Sequence, residues 1–228
     1  MKSKQEIYEG ILNQFVDPES YRAIFNTIFR TSNKNVATNG VVIITAPLYN
    51  AELPNYEENI KNVNFDKQFN IPIKIEKLKE VLNKIKTVDS YDTIETIEDC
   101  PACDGASEVN YEFHYGKTYT IIKDCPVCDG CGEITKKVKN TIPNGKKEYK
   151  KNSIVKILGL YVSPEYIQKL VEIAEELQQI EIKLVNITYS TILFTVEQLE
   201  IMMMTIKLNG VPADYSNLIY NLEVENEK

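Results

Sequence analysis

Residues 100–103 read Cys-Pro-Ala-Cys and residues 125–128 read Cys-Pro-Val-Cys, with 21 residues between the two pairs. Each Cys-x-x-Cys can form a knuckle that points two thiolates at one ion, and two knuckles complete the tetrahedral sulfur shell that zinc prefers. The spacing predicts one structural Zn2+ per chain, held by Cys100, Cys103, Cys125 and Cys128. Such a shell leaves no open position for water, so the ion would supply folding free energy to a segment too short to bury a core of its own. A redox dithiol needs only one Cys-x-x-Cys, and a disulfide framework does not suit a reducing compartment. Cys131, three residues after Cys128, either takes its place in the shell or stays free.

The reducing compartment is itself an inference. The opening Met-Lys-Ser-Lys-Gln-Glu-Ile-Tyr-Glu-Gly lacks an apolar core of signal-peptide length, and no later apolar run reaches the ~18 residues a membrane span requires. A cytoplasmic protein without a membrane partner is expected. With 43% apolar and 26% charged residues the chain has the profile of a globular protein, and 228 residues suffice for one main domain with an insertion. Its net charge of −7 gives no long-range attraction to nucleic acid, so any such contact must come from a local basic patch.

Hydrophobic periodicity predicts an α+β chain. Asp17-Pro18 reads as a cap and first helical residue, and Tyr21, Ile24, Phe25, Ile28 and Phe29 follow at helical spacing, predicting a helix over 18–30. Asn39-Gly40 predicts a tight turn opening into a strand over 41–46. Ile75, Leu78, Val81, Leu82 and Ile85 predict a second helix over 75–86, with Lys77 and Lys84 on its outer side. Ser163-Pro164 starts a third, whose Ile167, Leu170, Val171, Ala174 and Leu177 would be buried beneath an acidic outer face. Strands are expected over 111–115, 119–123, 153–158, 180–186, 191–196 and 201–208, with Met202, Met203 and Met204 filling core. A helix followed by several strands recurs, hinting at a repeated unit. Pro143-Asn144-Gly145 reads as the turn of a long hairpin, and the tail from Val211 as a solvated end.

Lys136, Lys137, Lys139, Lys146, Lys147, Lys150 and Lys151 crowd the stretch after the cysteines. They would either grip phosphates or keep an exposed strand edge soluble and unpaired. The chemistry of catalysis is sparse. His114 is the only histidine, and Gly116-Lys117-Thr118 has Tyr111 where a phosphate-binding loop needs its first glycine, so it reads as a hairpin turn. No enzyme is expected.

The second cysteine unit, Cys125 through Gly132, fits Cys-x-x-Cys-x-Gly-x-Gly, and the first fits with Ser107 in the last position. This resembles the cysteine-rich region of J-domain co-chaperones and implies a zinc ribbon. Outside that segment the order of elements resembles a DNA polymerase sliding clamp of the bacterial and phage β-subunit type. The resemblance is carried by Ala37-Thr38-Asn39-Gly40 in a strand pair, by 70–85 as a strand and helix, by 161–173 as a helix start, and by Met204-Thr205 in a closing strand. It implies a DNA-clamp-like α+β domain of helix-plus-antiparallel-sheet half-repeats with a small zinc-ribbon insertion. The expected division is 1–98 and 133–210 as the two clamp-like halves, the second opening with the basic hairpin, 99–132 as the ribbon and 211–228 as a tail.

Two functions follow as expectations. One is a non-enzymatic, DNA-associated clamp-like protein of DNA replication or a mobile element, with Lys77, Lys84, Lys136, Lys137, Lys139, Lys146 and Lys147 at nucleic acid and with replication proteins or further copies of itself as partners. The other is a protein-interaction module in which the zinc ribbon docks and the clamp-like body is a scaffold.

Overall fold

The computed structural model describes residues 3–56, 68–207 and 218–224. It divides into two compact units, one of Met1–Lys86 and Tyr149–Lys228 and one of Thr87–Glu148.

The larger unit, the body, is α+β. It opens with α1 (Lys4–Asn13), followed by α2 (Ala23–Asn26) and the strands β1 (Phe29–Arg30), β2 (Lys34–Thr38) and β3 (Val42–Pro47). Next come β4 (Ile71–Lys74) and α3 (Ile75–Lys84). After the smaller unit the body resumes with β11 (Ile154–Ile157), β12 (Leu160–Val162), α4 (Pro164–Glu176), β13 (Glu181–Ile187), β14 (Thr191–Val196), β15 (Leu199–Met204) and β16 (Ile219–Leu222).

Each of α1 and α4 precedes a three-stranded antiparallel meander, and the last strands of the two meanders pair with each other. The sheet order β1-β2-β3-β15-β14-β13-β4 is therefore two half-repeats joined back to back through β3 and β15, with β4 added at the far edge. The joint is set by side chains as well as backbone. Ile44 opposes Ile201 and Val42 opposes Met203, and all four are buried in the core shared with the helices. Tyr8, Ile11 and Leu12 of α1, Leu78 and Leu82 of α3, and Ile167, Leu170 and Ala174 of α4 close that core. Residues at positions i, i+3 and i+4 share one helix face, which is why those spacings in the sequence became buried stripes. α3 packs against α4, and β12-β11-β16 forms a small second sheet.

Four expectations are corrected. No helix spans 18–30. Asp17 caps a turn instead, with its carboxylate accepting from the Glu19 N–H, and Thr27 is extended, so only Ala23–Asn26 is helical. Phe29 is drawn into β1, where it pairs with Val36 and is fully buried. The first long helix is α1, fixed by a capping box in which the Ser3 side chain accepts from the Glu6 N–H and the Glu6 carboxylate accepts from the Ser3 N–H. The tail is not wholly solvated, since β16 pairs in parallel with β11 and buries Leu222, while 208–217 and 225–228 lie outside the described residues. Met202 and Met203 are buried, but Met204 ends β15 half exposed.

The fourth correction concerns the smaller unit, the insertion. It contains β5 (Thr87–Asp89), β6 (Thr93–Asp99), β7 (Glu108–Tyr115), β8 (Lys117–Asp124), β9 (Glu133–Lys139) and β10, which runs on into the body as Lys147–Tyr149. Pro143-Asn144-Gly145 is not a hairpin turn, because β9 pairs back with β6 and β10 with β5. The hairpin of the insertion is β7–β8, turning at Gly116, whose φ of +67° suits glycine. No helix among the described residues is long and apolar enough to cross a membrane.

Candidate metal centre

The cysteines sit where the two long strand pairs of the insertion begin and end: Cys100 follows β6, Cys125 follows β8, and Cys103 and Cys128 lie in the loops that lead into β7 and β9. The two loops are near copies of each other. Asp99 through Ser107 and Asp124 through Gly132 share the pattern Asp-Cys-Pro-x-Cys-Asp-Gly-x-(Ser or Gly), with Asp104 and Asp129 both at φ +50° and Gly105 and Gly130 both at +77°. Their backbones clasp reciprocally. The Cys100 N–H donates to the Gly132 carbonyl and the Cys125 N–H to the Ser107 carbonyl, each at 2.8 Å. The position where the first unit departs from the glycine pattern thus keeps the same job, since Ser107 adopts φ +69° and Gly132 +83°.

The clasp brings four thiols together. Cys100 Sγ lies 3.8 Å from Cys125 Sγ, Cys103 Sγ lies 3.8 Å from Cys128 Sγ, and all four sulfurs lie within 4.8 Å of one another. A tetrahedron of sulfurs ~2.3 Å from a central zinc has edges of about 3.8 Å, which the Cys100–Cys125 and Cys103–Cys128 separations match. All four cysteines are buried, with Val109 and Ile134 packed against them. Four close, buried cysteines of this kind can hold a metal ion.

The electrostatics also favour a cation. Burial pushes the Cys103 thiol up to about 12. Burial acts on Cys128 in the same direction, but the Gly132 N–H, 3.2 Å from its sulfur, and the neighbouring thiols outweigh it and hold that group down at about 7. One thiolate forms readily, and its charge opposes the next, which a divalent ion at the centre would relieve. Cys131 stands apart, exposed, with its S–H directed to the Glu133 carbonyl.

The lysines expected at nucleic acid are divided between the two units. Lys77 and Lys84 belong to α3 of the body, where Lys77 is half-buried beside Lys74, Glu181 and Glu223. The others, Lys136, Lys137, Lys139, Lys146 and Lys147, belong to the insertion, and four of them meet carboxylates there. Lys136 pairs with Glu98 at 3.4 Å, Lys137 with Glu95 at 3.6 Å, Lys139 with Glu148 at 3.9 Å and Lys147 with Asp89 at 2.5 Å. The pairs of Lys136, Lys137 and Lys147 follow from the β6–β9 and β5–β10 pairings, which set acidic strands beside basic ones, while Lys139 and Glu148 come from β9 and β10. Residues 87–148 hold twelve carboxylates against seven lysines. His114 Nδ1 shares a hydrogen bond of 2.9 Å with Thr118 Oγ1 on the exposed hairpin. Sequence reasoning passed over the aromatic residues of β7 and β8. The alternation Tyr111-Glu112-Phe113-His114-Tyr115 was the available signal.

No family model matches the chain, and no curated protein does. Among solved structures it is similar to the DNA polymerase β subunit of Streptococcus pyogenes, at 7% identity and TM-score 0.48, over 92% of this chain and 64% of that one. It is also similar to the sliding clamp of Pseudomonas aeruginosa, at 9% identity and TM-score 0.46, over 91% and 66%. A third is the Helicobacter pylori β clamp bound to a DNA ligase peptide, at 11% identity and TM-score 0.45, over 89% and 63%. The chain spans just under two thirds of these proteins' length. At such scores and identities the likeness assigns no function to the chain.

Proposed function

We propose that the chain is a non-enzymatic, sliding-clamp-like protein associated with DNA, and that Cys100, Cys103, Cys125 and Cys128 hold one structural Zn2+. The clamp-like reading is supported by the two helix-plus-antiparallel-sheet half-repeats that the resemblance in the sequence implies, here joined through β3 and β15. The zinc reading rests on the reciprocal clasp and the 3.8 Å sulfur separations. Native mass spectrometry of the purified chain tests both parts, since one spectrum counts bound zinc and subunits. One zinc per chain in a closed multimer that retains duplex DNA at low salt is the expected result. A metal-free chain removes the zinc assignment, and absence of duplex binding at low salt removes the DNA-associated role.

A second reading has its own support. The carboxylates that meet Lys136, Lys137, Lys139 and Lys147, together with the acidic excess of the insertion, favour a protein partner for that unit over duplex phosphates. Removing 87–148 would then abolish partner capture and leave the body folded.

A further inference from the structure

The β7–β8 hairpin sorts its side chains by chemistry. Residues directly opposite each other in an antiparallel pair lie on the same face, and successive residues alternate between faces. Tyr111 opposes Ile121, Phe113 opposes Tyr119 and Tyr115 opposes Lys117, with Val109 opposite Lys123 at the base. This face is aromatic and carries two lysines and no carboxylate. The other face has Glu108 opposite Asp124, Asn110 opposite Ile122, Glu112 opposite Thr120 and His114 opposite Thr118, with no aromatic carbocycle and no lysine. Val109 anchors the first face at the cysteine cluster, while Tyr111, Phe113, Tyr115 and Tyr119 are exposed by 46%, 49%, 83% and 45%. Phe113 and Tyr119 stack on each other, ring centroids 5.0 Å apart and planes 11° from parallel, so each ring keeps one face free of the other.

Aromatic cross-strand pairs stabilise a hairpin, and that accounts for Phe113 against Tyr119. It does not account for Tyr115, exposed at the tip, or for the separation of lysines from carboxylates across a strand pair only eight residues long. We infer that this face binds single-stranded nucleic acid: Tyr111, Phe113, Tyr115 and Tyr119 stack on bases, and Lys117 and Lys123 meet phosphates. Any base offers a π-face, so the contact needs no sequence preference, and aromatic residues two apart along β7 lie about 7 Å from one another, enough for one base each. A duplex hides its base faces and would gain only the two lysines. The aromatics alone would also suit a protein, but lysine is depleted from protein interfaces and this face sets two beside the rings, so the protein partner of the second reading belongs to the acidic surfaces of the insertion rather than to this face. The inference goes beyond the role proposed for the body and rests on the insertion alone.

Fluorescence anisotropy of a short labelled oligothymidylate with the zinc-loaded full chain at low salt tests it, run beside the matched duplex. The intact chain should bind the single strand. Tyr115→Ala and Phe113→Ala should each weaken binding at least about fivefold, while Phe113→Tyr keeps it. Lys117→Ala should flatten the salt dependence. Metal content per chain, read by native mass spectrometry, shows that each variant keeps its cysteine site, and Tyr115 at the tip is the safest probe of the four aromatics. Absence of single-strand binding overturns the inference. So do Tyr115→Ala and Phe113→Ala variants that bind as the parent does, or a hairpin whose substitutions abolish only self-association. Loss of duplex binding with the single strand still held would remove the body's proposed role and leave this one standing.

Discussion

Gly132 shows how tightly the cysteine loops close. A Cβ there would sit 2.6 Å from the Gly105 carbonyl oxygen and 2.8 Å from Ser107 Oγ, and φ is +83°. Backbone cannot yield as a flexible side chain does, and the same residue donates its N–H to Cys128 Sγ and accepts from Cys100. Gly132→Ala should therefore weaken metal binding by about tenfold or more, the scale of losing a group that orients a ligand. Competition with a chromophoric chelator measures it. Gly116 provides the contrast, with nothing within 4 Å of its would-be Cβ, so Gly116→Ala should leave metal affinity unchanged and cost only the ~1–2 kcal/mol of a left-handed residue. Equal effects at the two positions would mean that the clasp is not what orders the sulfurs.

The elements differ in how openly the sequence declares them. The stripes of α3 and α4 are strongly periodic and most of the residues the spacing selects are buried, although in α4 Leu177 is only half-buried and Ile173, outside the selected set, is buried; Asn39-Gly40 turns where its chemistry requires, with Gly40 at φ +86°. α1 was equally legible, because Ser3 and Glu6 form a capping box ahead of Ile7, Tyr8, Ile11 and Leu12, yet the louder Asp17-Pro18 signal drew the helix downstream. That segment failed for a tertiary reason: Phe29 gains more from full burial in β1 than from continuing a helix. The β6–β9 pairing was hidden in another way, since its partners are 34 residues or more apart and a local turn competed for attention. The sulfur site was readable because its ligands come as two local knuckles, whereas the clasp between them is long-range. Removing the cap by Ser3→Ala should cost about 1 kcal/mol in urea denaturation. Leu170→Ala, fully buried in α4, should cost about 2–5 kcal/mol. A reversed order would mean that α4 is not a core element.

The molecule as a whole consists of a body with a continuous hydrophobic core and an insertion whose only buried cluster is four cysteines with Val109 and Ile134. Most of the insertion's strand residues are exposed, and isolated two-stranded sheets are marginal in water, so the metal proposed for the four cysteines would supply its order. The body does not need it in the same way. The Lys150 N–H donates to the Lys86 carbonyl at 2.8 Å, so the two chain ends flanking the insertion meet at the edge of the body, one rung beyond the β5–β10 pair. Closing that gap costs little when the ends already meet, because loop entropy grows only slowly with length. Two outcomes follow from the same asymmetry. Stripping the metal with a strong chelator should abolish amide protection across 87–148 in hydrogen exchange and leave β3, β14 and β15 protected. Replacing 87–148 with a short Gly-Ser linker should yield a body that still unfolds cooperatively, with a Tm within a few degrees of the full chain. Loss of cooperative unfolding in that deletion would show that the body draws its stability from the insertion, and the half-repeat core could no longer be treated as self-sufficient.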